Sequence, residues 1–496
     1  MLPLFLLLVT HVLYGQASSA TIADLTSAHA LFKQGKFQEA AAAYRAIVEK
    51  DKSSVPGYSG LVRSYLKADE LSAADEASQQ GLNALPQSAL VHAMRGAVYF
   101  RQGLFDQAES RYRAALKLDE KCASAWLGMG KIYAAVSHQD QAKESFTKAH
   151  NLDPDDGDSW YRWAALLPYP QSTDELEKHL AEFRSGAEEE RREREFIDLV
   201  KGIGNREIWV ASKSPEQAEI KMDPVSPRPG VVLGLGIHVK FNNSANAMLL
   251  LDTGTTWMTI PHRLAEKIGA RKISDYGMEG VGNSGPAAGY FAWVDKITVG
   301  EVEFHDCVVH VSARNDLNGA EGLVGTNIFA GYLVTIDSPA HKLRLGTLPA
   351  ATTSSAETLV HPFEVKSNAQ VFDFGHILLL PARVNRSAMG LFVLDTGANV
   401  SSTTPEYART AGKLREVRER AVGTSGAVNQ MFVLEDAVLQ FSSVSEPVHS
   451  LPAFDSRSLS RQLGTEVSGF IGFASLNRAK VSINYRDGSV EVEQSK

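Results

Sequence analysis

The sequence has 496 residues, of which 44% are hydrophobic and 22% are charged. These values are typical of globular proteins, and the length is enough for about three domains. The formal net charge of −8 and the pI near 6.0 give no electrostatic basis for binding nucleic acid or an anionic membrane. Only two cysteines are present, Cys122 and Cys307, so the fold is not expected to depend on disulfides.

The first 20 residues have the pattern of a secretory signal peptide. An apolar core at 2–9 is followed by small residues from position 15 onward, although the basic residues that usually precede such a core are missing. A membrane anchor is the alternative, but it needs about 20 consecutive apolar residues, and His11 interrupts the run. We therefore predict a signal peptide over 1–20, a secreted or periplasmic protein, and no membrane span in the rest of the chain.

Residues 21–156 contain an internal period of 34 residues. Small and aromatic residues recur in register, and one invariant column consists of Ala40, Ala74, Ala108 and Ala142. The pattern resembles the tetratricopeptide repeat, a helical hairpin, most closely in the third and fourth of four copies. The resemblance implies a solenoid with a concave groove that binds a polypeptide substrate or a protein partner. The aromatic columns are expected to form the core of the array.

Residues 157–229 are predicted to hold a capping helix and a linker. The acidic sequence DPDDGD at 153–158 lacks the Glu that closes a calcium loop, so we expect an exposed turn. A helix is predicted from Ser172 to Ile203, and its EEERRERE segment at 188–195 is interpreted as a solvated face with i, i+4 ion pairs. The proline-rich end of the region indicates a linker or an edge segment of the next domain.

From residue 230 onward the pattern changes to short β-branched runs separated by Gly and Asn, which predicts strands. Two segments, 230–349 and 358–496, have the same order of signals and are joined by a linker at 350–357 that is rich in Ala, Ser and Thr. Each contains a hairpin, an Asp-Thr-Gly tripeptide after an apolar run, a glycine-rich segment and a Gly-apolar-apolar-Gly motif. Asp252 and Asp395 begin the tripeptides, and the last glycines of the paired motifs follow 73 and 77 residues later. The repeated order indicates two homologous half-sites.

The two segments resemble the lobes of retropepsin-type aspartic proteases, in which two lobes meet to form one site. The resemblance implies a multidomain protein, with an all-α tetratricopeptide-repeat solenoid followed by a mostly-β, double-lobed retropepsin-like acid protease fold. It also implies an aspartic endopeptidase in which Asp252 and Asp395 are the catalytic pair. The supporting residues that it implies are threonines that brace the two loops, glycines that turn beneath the carboxylates and glycines that pack against the loops: Thr253, Thr396, Gly254, Gly397, Gly325 and Gly472.

Glycine-rich segments stand where that family has the flaps that cover the substrate. Glycine permits such a hairpin to close over an extended peptide, and ordinary hairpin turns are the alternative interpretation. The candidate flap residues are Gly280, Gly282, Gly423 and Gly426. Neither lobe has the Arg-Asp or Asn-Asp pair that often follows the last glycine in viral members. The resemblance therefore implies no role for the residues that follow Gly325 and Gly472.

The sequence lacks motifs for competing chemistry. The GLGIHV stretch misses the third glycine of a dinucleotide loop, no Gly-x-Ser-x-Gly elbow is present, and no pair of histidines has zinc spacing. We therefore predict neither a cofactor nor a metal, and we expect a monomer in which the lobes pair within one chain. Two alternatives stay open: a catalytically silent peptide-binding scaffold, and lobes that pair between chains.

Overall fold

The computed structural model describes residues 19–494, except for 227–228, 243–244, 283, 315–319, 351–358, 365, 367, 420 and 424. Apart from residues 19–20 and 350, the predicted signal peptide and the predicted linker between the lobes lie outside the described residues. The helical part of the chain consists of α1 (Ser19–Lys33), α2 (Phe37–Lys50), α3 (Val55–Lys67), α4 (Leu71–Ala84), α5 (Ala89–Arg101), α6 (Phe105–Leu118), α7 (Ala123–Ala135), α8 (Gln139–Leu152), α9 (Gly157–Ala164), α10 (Gln171–Glu182) and α11 (Ala187–Ile203).

Helices α1 to α8 form four antiparallel pairs, in agreement with the predicted solenoid. Glycines at the helix crossings make the close packing of these pairs possible. A Cβ atom on Gly96 would lie 2.7 Å from the ring of Tyr112, and one on Gly130 would lie 2.6 Å from the ring of Phe146. Because the interior is already filled by the aromatic column, no larger residue fits at these crossings.

The acidic stretch at 153–158 lies against the inner layer of the array, which helices α1, α3, α5 and α7 form by contacting one another in succession. Arg63 pairs with Asp156, which is buried, and Lys67 pairs with Asp158 at 3.0 Å. The predicted turn is present and exposed at Pro154 and Asp155, but Asp156 and Asp158 are covered, because basic side chains of a distant repeat neutralise these two carboxylates. The groove expected to bind a partner is thus partly covered by the chain itself.

The single helix predicted after the repeats is in fact two helices, α10 and α11. Gly186 separates them with a φ of 106°, a conformation that glycine adopts more readily than other residues. The predicted i, i+4 ion pairs are present, between Arg191 and Glu195 and between Glu190 and Arg194, but the face is only partly solvated, since Glu190 and Glu193 are buried. Glu193 Oε1 lies 2.7 Å from His179 Nδ1 of α10. This carboxylate therefore has a hydrogen-bond partner on another helix.

Lobe 1 contains a nine-stranded sheet with the strand order β1-β9-β6-β10-β5-β4-β8-β7, and β3 pairs with β4. The elements of this part of the chain are β1 (Val210–Lys213), β2 (Ala218–Lys221), β3 (Asp223–Val225), β4 (Gly234–Phe241), β5 (Ala245–Leu251), β6 (Met258–Pro261), α12 (His262–Ile268), β7 (Arg271–Met278), β8 (Ala287–Val299), β9 (Val302–Ser312), β10 (Leu323–Val324), β11 (Leu333–Asp337) and β12 (Lys342–Gly346). Of these strands, β2, β11 and β12 belong to a second, six-stranded sheet. A short 3-10 helix, Thr326–Phe329, follows β10.

Lobe 2 repeats the arrangement in a ten-stranded sheet with the order β18-β21-β24-β17-β25-β16-β15-β22-β23, and β14 pairs with β15. Its elements are β13 (Asn368–Gln370), β14 (Phe372–Phe374), β15 (Ile377–Val384), β16 (Gly390–Leu394), β17 (Ser402–Thr403), α13 (Pro405–Ala411), β18 (Leu414–Val417), β19 (Val422–Gly423), β20 (Gly426–Ala427), β21 (Met431–Leu434), β22 (Ala437–Phe441), β23 (Val444–Val448), β24 (Leu451–Phe454), α14 (Arg457–Leu463), β25 (Gly469–Ile471), α15 (Phe473–Leu476), β26 (Ala479–Asn484) and β27 (Ser489–Gln494).

A six-stranded sheet with the order β13-β27-β26-β11-β12-β2 joins the two lobes. Its central pair is antiparallel and brings Val334 of lobe 1 opposite Ile483 of lobe 2. Of the two interpretations of the proline-rich end of 157–229, the structure agrees with the edge segment, because this end supplies β1, β2 and β3 to the sheets. Ala218 and Ile220 are buried while their neighbours are exposed, an alternation that places β2 on a sheet edge with one face covered.

The third repeat packs directly on lobe 2. Phe105 is fully buried, and its ring centroid lies 4.7 Å from that of Phe372. The buried carboxylate of Glu109 accepts hydrogen bonds from the backbone N–H groups of Leu359 at 3.0 Å and Val360 at 2.9 Å. The array and lobe 2 therefore share one apolar core.

Two further expectations concern membranes and cysteines. Within the described ranges, no helix is long and apolar enough to cross a membrane. Cys122 and Cys307 are buried and unpaired, as the cysteine count predicts. Cys122 belongs to the core shared by the array and lobe 2, whereas Cys307 belongs to the core of the lobes.

We expect the Phe105→Ala variant to be destabilised by about 3–5 kcal/mol, because a fully buried ring leaves the core that the array and lobe 2 share. Chemical denaturation followed by fluorescence measures this change. Leu118→Ala is the matched control on the same helix, since Leu118 is 42% exposed and should change the stability by less than about 0.5 kcal/mol. Equal losses in the two variants would contradict a shared core at this junction.

Candidate active site

Corresponding strands deliver Asp252 and Asp395 to the junction of the lobes. Strand β5 ends just before Asp252, and β10 runs parallel to it, so the Asp252 N–H donates to Val324 O at 2.9 Å. In lobe 2, β25 runs parallel to β16, and the Asp395 N–H donates to Ile471 O at 3.0 Å. The buried apolar strands therefore carry each carboxyl group to the same edge of its sheet.

Glycine follows each Asp-Thr pair because the opposite lobe leaves no room for a side chain. Asp252 Oδ1 accepts from Gly254 N at 2.8 Å, and Asp395 Oδ1 accepts from Gly397 N at 3.0 Å and from Ala398 N at 2.9 Å. A Cβ atom on Gly397 would collide with the carboxyl group of Asp252, and one on Gly254 would lie 3.2 Å from Asp395 Cγ. The two loops thus approach each other through their glycines.

Thr253 and Thr396 form a reciprocal set of hydrogen bonds between the lobes. The Thr253 hydroxyl donates to Leu394 O at 2.6 Å and accepts from Thr396 N at 3.0 Å. The Thr396 hydroxyl donates to Leu251 O at 2.8 Å and accepts from Thr253 N at 3.1 Å. Both threonines are buried, so every one of these bonds is protected from water and each lobe fixes the loop of the other.

Gly325 and Gly472 lie behind the two loops, where a side chain would strike the backbone. A Cβ atom on Gly325 would overlap Thr255 O, and one on Gly472 would overlap the Val400 carbonyl group. The Gly325 N–H donates to Trp257 O at 2.6 Å, which ties this glycine to the loop that carries Asp252. The structure therefore brings all eight predicted dyad and supporting residues together.

The two carboxyl groups lie close together in a buried site, since a Cβ atom on Gly254 would lie 3.2 Å from both Asp252 Oδ1 and Asp395 Cγ. Burial raises the pKa of Asp395, and the neighbouring charge of Asp252 raises it further. Burial also raises the pKa of Asp252, although hydrogen bonds from Gly254 and other groups oppose the shift. Because like charges in contact cannot both ionise cheaply, the pair keeps one proton at a pH where an isolated Asp has lost it.

The predicted flap residues meet at the tips of two hairpins. We define the lobe 1 flap as β7, β8 and residues 279–282 and 284–286 between them, and the lobe 2 flap as residues 422–423 and 425–427, which contain β19 and β20. Gly282 and Gly426 have positive φ values of 132° and 90°, which fits glycine in these tight tips. Gly280 N donates to Ser425 Oγ at 3.1 Å, and a Cβ atom on Gly423 would collide with the backbone of the lobe 1 tip.

Sequence reasoning missed Ser425, which joins the flap tips. Its N–H donates to Val281 O at 3.0 Å, and its carbonyl oxygen accepts from Ser284 N at 2.8 Å. A serine between glycines was the available signal, but the pairing of two turns 145 residues apart has no local pattern. His310 belongs to the packing of lobe 1: its ring stacks on Tyr276, and burial lowers its pKa to about 3.

No cluster of side chains suited to a metal ion occurs in the part of the chain that the structure describes. The buried pair is surrounded instead by hydrogen-bond donors from the backbone, chiefly those of Gly254, Gly397 and Ala398. Such donors stabilise an ionised carboxylate, while the contact between the carboxyl groups favours retention of one proton. The arrangement can therefore both accept and donate a proton at one point.

Comparison with known families agrees with this geometry. A sequence model of the aspartyl protease family matches residues 237–328, a range that includes Asp252 and Gly325. Two models of the tetratricopeptide repeat match residues 31–98 and 93–161. The chain therefore combines tetratricopeptide repeats with an aspartyl protease domain.

Individual relatives match only part of the chain. Tetratricopeptide repeat protein 37 of Xenopus laevis is 28% identical over 124 residues, and Superkiller complex protein 3 of Homo sapiens is 26% identical over 117 residues. Each alignment covers 24% of this chain and 7% of the relative, so the chain spans less than a tenth of their length.

Two solved structures are similar over about a third of the chain. A thermophilic tetratricopeptide-repeat protein of Thermus thermophilus is 18% identical, with a TM-score of 0.28 and coverage of 36% of this chain and 96% of that one. PilF of Pseudomonas aeruginosa is 20% identical, with a TM-score of 0.25 and coverage of 37% and 90%.

The Asp395→Asn variant should be more stable than the wild type at neutral pH. In the unfolded chain, Asp loses its proton above a pKa of about 4. The folded pair retains one proton to a higher pH, because its pKa is raised. Wild-type stability therefore falls as the pH rises from about 4 through the raised pKa of the folded pair. Asn cannot ionise and keeps an oxygen for Gly397 and Ala398. We expect the melting temperature to rise by about 2–4 °C at pH 7 for each kcal/mol recovered, and not to rise at pH 4.

Thermal unfolding across a pH series measures this effect. Asp436→Asn is the matched control, because Asp436 lies in an exposed turn of the same lobe and Asn tolerates its positive φ of 51°. A stability difference between wild type and Asp395→Asn that is the same at pH 4 and pH 7 would contradict the shared proton.

Proposed function

We propose that this protein is an aspartic endopeptidase whose Asp252 and Asp395 act as one dyad between two lobes. The observation that carries the proposal is the reciprocal bonding of Thr253 and Thr396, which holds two buried carboxyl groups in contact. Such a pair costs stability, because both groups lose hydration and the charge of Asp252 raises the pKa of Asp395. Carboxyl groups perturbed in this way are typical of functional sites.

The chemistry follows from the single proton on the pair. The ionised carboxylate takes a proton from a water molecule, and the resulting nucleophile attacks the carbonyl carbon of the peptide bond. The protonated carboxyl group donates to the carbonyl oxygen, and a proton then passes to the leaving nitrogen. Since the carboxyls titrate together, neither Asp has a fixed role. The flap tips must part to admit a polypeptide, and they close over it once it is bound.

Pairing of the lobes within one chain is part of the proposal. The sheet that both lobes share supports it, because β11 and β26 lie side by side in the middle of that sheet. We also propose that the protein is exported, on the basis of its apolar leader, and that the repeat array binds substrate or a partner protein. Stacked helical repeats form extended surfaces suited to such binding.

Digestion of an unfolded protein by the purified chain at pH 3–9 tests the proposal. Asp252→Asn and Asp395→Asn should each reduce cleavage by at least about 100-fold, because each removes one half of the acid–base pair. Asp436→Asn should cleave like the wild type, and a statine-type peptide should inhibit the wild type. Activity should fall as the pH rises through the raised pKa of the pair, when the shared proton is lost.

Three results would overturn parts of this proposal. Full activity in either dyad variant would exclude a shared site. Tight peptide binding without cleavage across the pH series would favour a silent scaffold. Loss of specific activity on dilution, with light scattering that shows dissociation, would show that the lobes pair between chains.

A further inference from the structure

Helix α11, the last helix before the lobes, lies along the lobe 1 flap. Its apolar side includes Leu199, which belongs to a small core with Phe291 and Trp293 of strand β8. Gly202 faces Ile273 of β7 so closely that a Cβ atom at that position would collide with the isoleucine side chain. The helix therefore has a fixed position against the two strands of this flap.

Polar contacts tie α11 to the point where β7 ends and the flap turn begins. Arg191 and Arg192 both pair with Glu279, and the distance from Arg192 Nη1 to Glu279 Oε2 is 3.1 Å. Glu195 accepts from Gly277 N at 3.1 Å and holds Arg191 at 2.7 Å. All four charged side chains are less than a third exposed, so water screens this network less than it screens an ordinary surface pair.

The lobe 2 flap is positioned through the lobe 1 flap. Ser425 of lobe 2 makes its backbone and hydroxyl hydrogen bonds to Gly280, Val281 and Ser284 of lobe 1. Glu279 directly precedes this set of residues. Holding Glu279 in place thus restrains the tips of both flaps.

The other end of α11 is fixed to the repeat array. Glu189 in its first turn lies 3.6 Å from Lys67 Nζ of the second repeat. Arg184, just before the helix, bonds to Glu190 at 2.7 Å, and its N–H donates to Lys33 O at 2.9 Å. The helix therefore connects the first two repeats with the flaps.

We propose that Arg191 and Arg192 are positioning residues that hold the flaps through Glu279. They do not touch the carboxyl pair, and they act on the lid of the cleft. In the enzyme that we propose above, this restraint lowers the cost of closing the flaps over a polypeptide, so its loss raises KM more than it changes kcat. A hydrogen bond between charged groups contributes enough to change such a closing equilibrium about tenfold.

Hydrogen exchange of the full chain tests the restraint without any turnover. The amides of Gly280 and Ser284, which bond to Ser425, should exchange about tenfold faster in Arg191→Ala/Arg192→Ala and in Glu279→Gln. Adding Glu279→Gln to the double arginine variant should change nothing further, because the double variant has already removed both partners of Glu279. Arg191→Lys/Arg192→Lys should restore most of the protection, since it keeps both charges.

Lys201→Ala is the matched control. Lys201 is on the same helix but pairs with Glu177 of α10, so its loss should leave flap exchange unchanged. Glu279→Gln changes a single polar group and is expected to fold, so it remains informative if the double variant does not.

Unchanged exchange at the flap tips in Glu279→Gln, or additive effects in the combined variant, would overturn the proposal. Kinetics with an unfolded protein substrate should show KM raised by about tenfold and kcat changed by less than about threefold. If the wild type cleaves nothing but the exchange results hold, the protease proposal fails while the restraint stands.

Discussion

The structure depends on four hydrogen bonds between Thr253 and Thr396 and the strand ends of the opposite lobes. Two buried carboxyl groups in contact favour separation, because they repel when ionised and have lost water. Each threonine uses its hydroxyl both to donate to and to accept from the other lobe. The loops that carry Asp252 and Asp395 are thus held by a closed set of bonds, and neither can move back without breaking bonds made by both threonines.

Larger elements farther from Asp252 and Asp395 also hold the two lobes together. The shared sheet aligns the lobes through β11 and β26, and β2 completes it with a strand that precedes lobe 1 in the chain. The third repeat fills a core with lobe 2 around Phe105 and Phe372. The helical array and the lobes are therefore packed into one body, in which α11 lies beside the lobe 1 flap.

Signals with a fixed spacing made much of this architecture predictable. The 34-residue period predicts the helix pairs, and the repeated Asp-Thr-Gly order predicts two lobes and brings Asp252 to Asp395. What sequence reasoning missed depends on partners far away in the chain. The charges at 153–158 and 188–195 fit a solvated surface equally well, because Arg63 and Glu279, which neutralise them, belong to other elements. The strands β1 to β3 are short, and only the sheets that they join identify them.

In the endopeptidase that we propose, the unequal surroundings of the two lobes affect how a bound polypeptide is oriented. Two identical subunits related by a two-fold axis offer the same surface to a peptide whichever way it runs. Here the third repeat packs on lobe 2, whereas α11 lies beside the lobe 1 flap, so the two lobes have different surroundings. In the proposed enzyme, the two directions in which a polypeptide can run between the lobes are therefore not equivalent, and the molecule has a polarity that a symmetric pair of lobes lacks.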